Sequence, residues 1–272
     1  MKRVAVVLAL LASALTGVAH ADAVPKVVYV GDSVAAQNAP ALAAALGPVD
    51  LHDATLGGTG ICDYLAGEPT WLPQSAKFAN LIRDQRPDLV ILQFWGNDYY
   101  SPCVSPLRRG EQAFYDKYLW NAFSARREIN EAADSIGLPR PKVLWVLQAP
   151  LPDPQREVPR RLNEIYTYAA DLAGDRVTDA GATASMAAYP YDNMTHDRYE
   201  FTRFLPCTDK ERATGTCTFP GAFGGVARLR ADNDDIHFCL DGTAPVRGCP
   251  VVSPGVDRYA DRIAADAKAW LG

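Results

Sequence analysis

Val27-Val28-Tyr29-Val30-Gly31-Asp32-Ser33 is an apolar run that stops at a glycine, an acid and a serine, and an Ala/Leu-rich helical stretch follows over 34–46. Four apolar residues in a row, without polar alternation, predict a strand buried on both faces. The pattern repeats outward from there. Residues 49–53 form a second short strand candidate, ended by Gly57-Gly58-Thr59-Gly60. Residues 73–85 carry Ala76, Ala79, Leu81 and Ile82 at helical spacing, and Leu89-Val90-Ile91-Leu92 then runs into Gln93-Phe94-Trp95-Gly96-Asn97-Asp98. A helical segment over 108–135 (broken near Trp120), a buried strand over 143–147, a helix over 160–173 and a weaker fifth strand over 176–179 continue the alternation. Ser253 as N-cap, Pro254 in the first turn, and Val256, Tyr259, Ile263, Ala267 and Trp270 at helical spacing predict a closing helix. Apolar strands alternating with helices predict an α/β domain with a mostly parallel sheet covered on both faces.

Residues 181–232 interrupt that rhythm. They hold Tyr189, Tyr191, Tyr199, Phe201, Phe204, Phe219 and Phe223 together with Cys207 and Cys217. An insertion this aromatic reads as a functional segment, or as a satellite core under a disulfide, rather than as disorder.

With 272 residues, 48% of them hydrophobic, the chain is long enough to bury one substantial core. Twenty glycines and twenty prolines are near average usage and exclude collagen-like and wholly disordered chains. The formal charge is −5 and no Lys/Arg run exceeds two residues, which argues against a nucleic-acid partner. Lys2-Arg3, the apolar stretch from Val4 to Leu15 and Ala19-His20-Ala21 predict a cleaved signal peptide over 1–21, leaving a single domain over 22–272. No apolar stretch reaches the roughly 20 residues of a membrane span, so no stable span is expected after processing. The six cysteines, Cys62, Cys103, Cys207, Cys217, Cys239 and Cys249, fit an oxidising, secreted or cell-envelope location. They include no C-x-x-C, and only four histidines accompany them, so three disulfides are expected rather than a metal site.

Gly31-Asp32-Ser33, Gly57-Gly58 and Gly96-Asn97-Asp98 fall at expected strand ends, and Asp234-Asp235-Ile236-His237 precedes the last helix. These clusters resemble, in order, the four signature blocks of the SGNH/GDSL hydrolase family, from Val27 to the final helix. The resemblance implies a three-layer α/β/α, flavodoxin-like fold with five central strands. It also implies Ser33 as nucleophile, His237 as base, Asp234 as the acid orienting it, and the N–H groups of Ser33 and Gly58 with the Asn97 amide as oxyanion donors. No metal or cofactor is implied.

The residues also carry a reading of their own. A serine hydroxyl attacks only when a base takes its proton, and a neutral imidazole is such a base. Ser33 or Asp32 is equally suited to capping the helix, Asp234 to a local turn, Gly57 to Gly60 to a flexible turn, and Asn97-Asp98 to an Asx turn. Asp235 competes with Asp234, and Gly57 with Gly58. The other histidines fall in the signal segment (His20), the second strand (His52) and the insertion (His196). Asp53 stands where many relatives carry Asn, and Cys62, Cys103 and Trp95 crowd the oxyanion loops, which is similar to exported SGNH proteins and SGNH domains associated with sugar O-acyltransferases. The expected function is an exported serine esterase acting on acyl esters of carbohydrate or lipid. The alternatives are an O-acyltransferase and a non-catalytic carbohydrate- or lipid-binding protein. The loops of Cys62 and Cys103 should emerge at the same sheet edge, so these two are expected to pair, leaving Cys207–Cys217 and Cys239–Cys249 as short bridges.

Overall fold

Side chains along a strand alternate between faces, and the first strand shows what that does here. In β1 (Lys26–Gly31), Val28 and Val30 enter one hydrophobic core while Val27 and Tyr29 enter another. The computed structural model describes residues 24–98, 100–104, 107–189, 194–222, 224–241 and 249–272. The expected signal segment, Tyr191 and Phe223 lie outside them.

After β1 come α1 (Ser33–Leu46), β2 (Asp50–Asp53), α2 (Phe78–Gln85), β3 (Leu89–Gln93), α3 (Gln112–Ser135), β4 (Lys142–Val146), α4 (Glu157–Ala173) and β5 (Arg176–Thr178). The five strands form one sheet in the order β2-β1-β3-β4-β5, every pairing parallel. The same alternation sends Val90, Leu92, Val143 and Trp145 to the core shared with α2, α3 and α4. Leu89, Ile91, Leu144 and Val146 go to the core shared with α1 and the C-terminal helix. The result is the expected three-layer α/β/α arrangement. Strand order reverses direction between β1 and β3, and ligands of such sheets bind beyond the carboxyl ends of the strands at that point.

Two expected helices differ in detail. The helix expected over 73–85 starts only at Phe78, after a short 3-10 turn at Gln74–Ala76. Lys77 is extended there (φ −70°, ψ 146°) because its buried ammonium donates to the carbonyls of Asp63 at 2.7 Å and Leu65 at 2.8 Å. α3 runs unbroken through Trp120, whose ring is 57% exposed and disturbs no packing.

The insertion is built rather than loose. β6 (Phe204–Pro206) and β7 (Val226–Arg228) pair antiparallel, with α5 (Asp209–Thr214) and the Cys207–Cys217 bridge between them. Leu205, Ala227 and Leu229 join the main core on the α1 side, so the segment is no satellite. The closing helix α6 (Pro254–Leu271) is capped by Ser253, and its buried Arg258 pairs with Glu211 of α5 at 2.6 Å. The other two disulfides join Cys62 to Cys103 and Cys239 to Cys249. Among the described residues, no helix is long and apolar enough to cross a membrane.

Candidate active site

At the carboxyl end of β1 the chain passes against β3 with no space for a side chain. A Cβ on Gly31 would stand 2.2 Å from the Gln93 carbonyl oxygen and 2.4 Å from the Ala35 methyl. Asp32 follows, wholly buried. Its Oδ1 accepts from the Val34 N–H at 3.0 Å and its Oδ2 from the Trp95 N–H at 2.5 Å. Asp32 is therefore the helix N-cap, and it also ties the β1 turn to the loop after β3. Burial pushes its carboxyl up to about 6, opposed by the N–H groups of Trp95 and Val34 and by the His237 charge.

The cap places Ser33 as the first residue of α1, half-buried at the positive end of the helix. Its Oγ lies 2.9 Å from His237 Nε2, and His237 Nδ1 lies 2.9 Å from Asp234 Oδ2. With the ring proton on Nδ1, the imidazole donates to Asp234 and accepts from the serine hydroxyl. The other oxygen of Asp234 accepts the N–H groups of Ile236 and His237, each at 2.9 Å. Asp234 thus makes the local-turn bonds with one oxygen and contacts the imidazole with the other. Asp235 is bound instead to the Arg203 guanidinium. Gln37 of α1 accepts the Phe238 N–H at 2.8 Å and so seats the histidine loop over the N-terminus of that helix.

The oxyanion candidates lie on the neighbouring loops. Gly58 has φ +82°, a region that strains any residue with a side chain, and a Cβ there would come within 3.2 Å of Tyr100. The Asn97 amide donates to the Thr59 carbonyl at 2.9 Å and lies 3.4 Å from Asp32 Oδ2. The main-chain carbonyl of Asn97 accepts from the Tyr118 hydroxyl of α3 at 2.8 Å. Asn97 thus joins the loops after β1, β2 and β3. The Cys62–Cys103 bond, with Cα atoms 6.0 Å apart, closes the same edge. Arg109 stacks on Trp95 with its guanidinium 4.0 Å from the ring and pairs with Asp98 at 2.8 Å.

His52 sits within β2, and His196 pairs with Glu200 in the insertion, so neither joins this group. The supporting roles of Gln37, Tyr118, Arg109 and Arg203 carried no signal in sequence, because each acts across 11 or more positions. Among the described residues no three His, Cys, Asp or Glu side chains are grouped to hold a metal ion.

No protein-family model matches the chain, and no curated protein matches it by sequence. Solved structures do. Est24, a carbohydrate acetylesterase from Sinorhizobium meliloti, superposes with a TM-score of 0.51 at 18% identity, covering 90% of this chain and 99% of its own. The inhibitor-bound aryl esterase of M. smegmatis superposes with a TM-score of 0.50 at 14% identity, over the same shares. This chain has the fold of those esterases. The three-layer architecture implied by the four sequence blocks is the one observed, and the hydrogen-bonded side chains of Ser33, His237 and Asp234 lie at the switch point of that fold.

Proposed function

We propose that the protein is an exported serine esterase that hydrolyses carboxylic esters through an acyl-enzyme on Ser33. One observation carries this reading: an unbroken relay, with 2.9 Å at each of its two steps, from a serine at a helix N-terminus through an imidazole to a carboxylate. Binding alone requires no nucleophile and base in register. His237 takes the hydroxyl proton as Ser33 Oγ bonds to the ester carbon. The carbonyl oxygen becomes an oxyanion that accepts from the Ser33 and Gly58 N–H groups and from Asn97, whose amide turns from Thr59 or Asp32 to reach it. Collapse breaks the C–O bond to the alcohol, which receives the proton from His237. Water then repeats the sequence and releases the acid. Asp234 holds the ring and stabilises the imidazolium. No metal or cofactor enters these steps.

The carbohydrate acetylesterase and the aryl esterase of the same fold support small-molecule esters as substrates, with O-acylated carbohydrate the first to test. Export rests on the N-terminal signal pattern and on three disulfides, which persist in oxidising compartments. N-terminal sequencing of the secreted chain should begin at Asp22. Ser33→Ala should lose at least about 10⁴-fold in kcat/KM toward p-nitrophenyl acetate and all labelling by an organophosphonate ester, with its circular dichroism unchanged. A folded Ser33→Ala protein that still labels overturns the assignment. Product analysis with an added sugar acceptor distinguishes hydrolysis from acyl transfer.

A further inference from the structure

We propose that the cleft between α5, α6 and the segment after β5 is a second binding site, separate from Ser33, and that it takes a neutral sugar unit. The aromatic insertion builds it. Thr208, Lys210, Glu211, Thr214 and Thr216 line one side, and all five lie within the loop that the Cys207–Cys217 bond closes. Asp257, Arg258, Asp261 and Arg262 of α6 line another side, joined by Thr183 and Tyr189 from the segment after β5. The cleft has a volume of about 380 Å³, a size typical of small-molecule sites. Ser33, Gly58, Asn97, Asp234 and His237 have no part in its lining, and nothing in it depends on chemistry at Ser33.

Its walls are fixed before any ligand arrives. Arg258 Nε and Nη2 donate to the two oxygens of Glu211 at 2.6 and 2.7 Å, and Nη2 also donates to the Pro206 carbonyl at 2.8 Å. These two buried side chains clamp α5 to α6, and the Arg258 guanidinium lies 4.5 Å from the centre of the Tyr189 ring. A cleft held by an ion pair and a disulfide loses little conformational entropy on binding. The lining also selects the ligand. Lys210, Arg258 and Arg262 are balanced by Glu211, Asp257 and Asp261, so the cleft has no net charge with which to draw in an anion or a cation. The hydroxyls of Thr183 and Thr214 donate to the carbonyls of Ala180 at 2.6 Å and Lys210 at 2.8 Å, and that of Thr208 accepts the Glu211 N–H at 3.2 Å. Oxygen lone pairs remain free on such hydroxyls. Lys210, paired with Asp261 at 2.5 Å, keeps further N–H donors, and the buried Nη1 of Arg258 has no partner among the described residues. A sugar hydroxyl both donates and accepts, which suits a lining of this kind, and the half-buried Tyr189 ring offers apolar surface to the C–H groups of a pyranose.

The test is a titration of the secreted, ¹⁵N-labelled chain with xylotetraose and with cellotetraose, both neutral, followed by amide NMR shifts, with tetragalacturonate as the anionic comparison. At least one neutral tetrasaccharide should give saturating shifts at Thr183, Tyr189, Thr208, Thr214 and Thr216. Tyr189→Ala should weaken that binding about tenfold through the lost ring contact. Thr214→Arg, at an exposed position of α5, should block it by filling the cleft, and serves as the second variant should Tyr189→Ala fold poorly. No shift with either neutral sugar overturns the proposal, as do shifts gathered around Ser33, Asn97 and His237 instead of the cleft. Tighter binding of tetragalacturonate in the cleft overturns the neutral ligand class. Unchanged binding in folded Tyr189→Ala and Thr214→Arg overturns the site.

Discussion

Removing the Cys62–Cys103 bond by Cys62→Ala/Cys103→Ala tests stability and catalysis separately. Alanine is the suitable replacement, because Cys62 is fully buried and a serine there would bring in a hydroxyl that needs a partner. The bond closes 41 positions of chain, and loop-closure entropy for that length corresponds to about 4 kcal/mol in the unfolded state. At about 2–4 °C per kcal/mol for a chain of this size, Tm should fall by about 8–16 °C. The Cys207–Cys217 bond spans 10 positions, which corresponds to about 2.7 kcal/mol, so its removal should cost visibly less. Only the first bond ties the segment after Gly58 to the segment after Asn97. Misplacing a reacting group by 1 Å can cost about 10²-fold, and a partial loosening of two donors should lower kcat about tenfold at a temperature where the variant is fully folded. Calorimetric melting of both double variants, with kcat on p-nitrophenyl acetate at 15 °C, reads both effects. A smaller loss of Tm than in the Cys207/Cys217 variant refutes the loop-entropy argument. Wild-type kcat in the folded Cys62/Cys103 variant refutes the link to the donors.

Three further outcomes are expected. Asp234→Asn should lower kcat by about 10⁴-fold, the cost of a ring held in the wrong tautomer, whereas Asp235→Asn, whose carboxylate faces Arg203, should stay within about threefold of wild type; the reverse pattern exchanges their roles. Asp32 rises on folding from the ordinary 3.8 to about 6, so the folded chain binds that proton more readily than the unfolded one. As pH falls from above about 6 to below about 4, wild type should therefore gain about 3 kcal/mol relative to Asp32→Asn, and urea unfolding curves whose separation does not change with pH would contradict this. EDTA should leave ester hydrolysis intact, since the relay uses no Lewis acid; inhibition reversed by one divalent metal would count against the mechanism.

The amino-acid order by itself determined the layering, because burial on both faces demands apolar residues throughout a strand, and Val27 to Val30 and Leu89 to Leu92 satisfy that demand without reference to the rest of the chain. It also determined where the polar turns fall, since Gly31 and Gly58 stand where close approach or a positive φ excludes a side chain. Local signals end there. The choice between Asp234 and Asp235 was open in sequence, as both lie close to His237 in the chain; in the structure Asp234 is the one hydrogen-bonded to His237, while Asp235 pairs with Arg203 of the insertion. The late start of α2 came from Lys77 finding two carbonyls more than ten positions upstream. Asn97 meets Asp32 and Thr59 only because β3 lies beside β1. Helical periodicity and turn preference depend on neighbours a few bonds away. A hydrogen bond between residues 65 positions apart depends on the packed sheet that brings them to 3.4 Å, and only the tertiary structure supplies that distance.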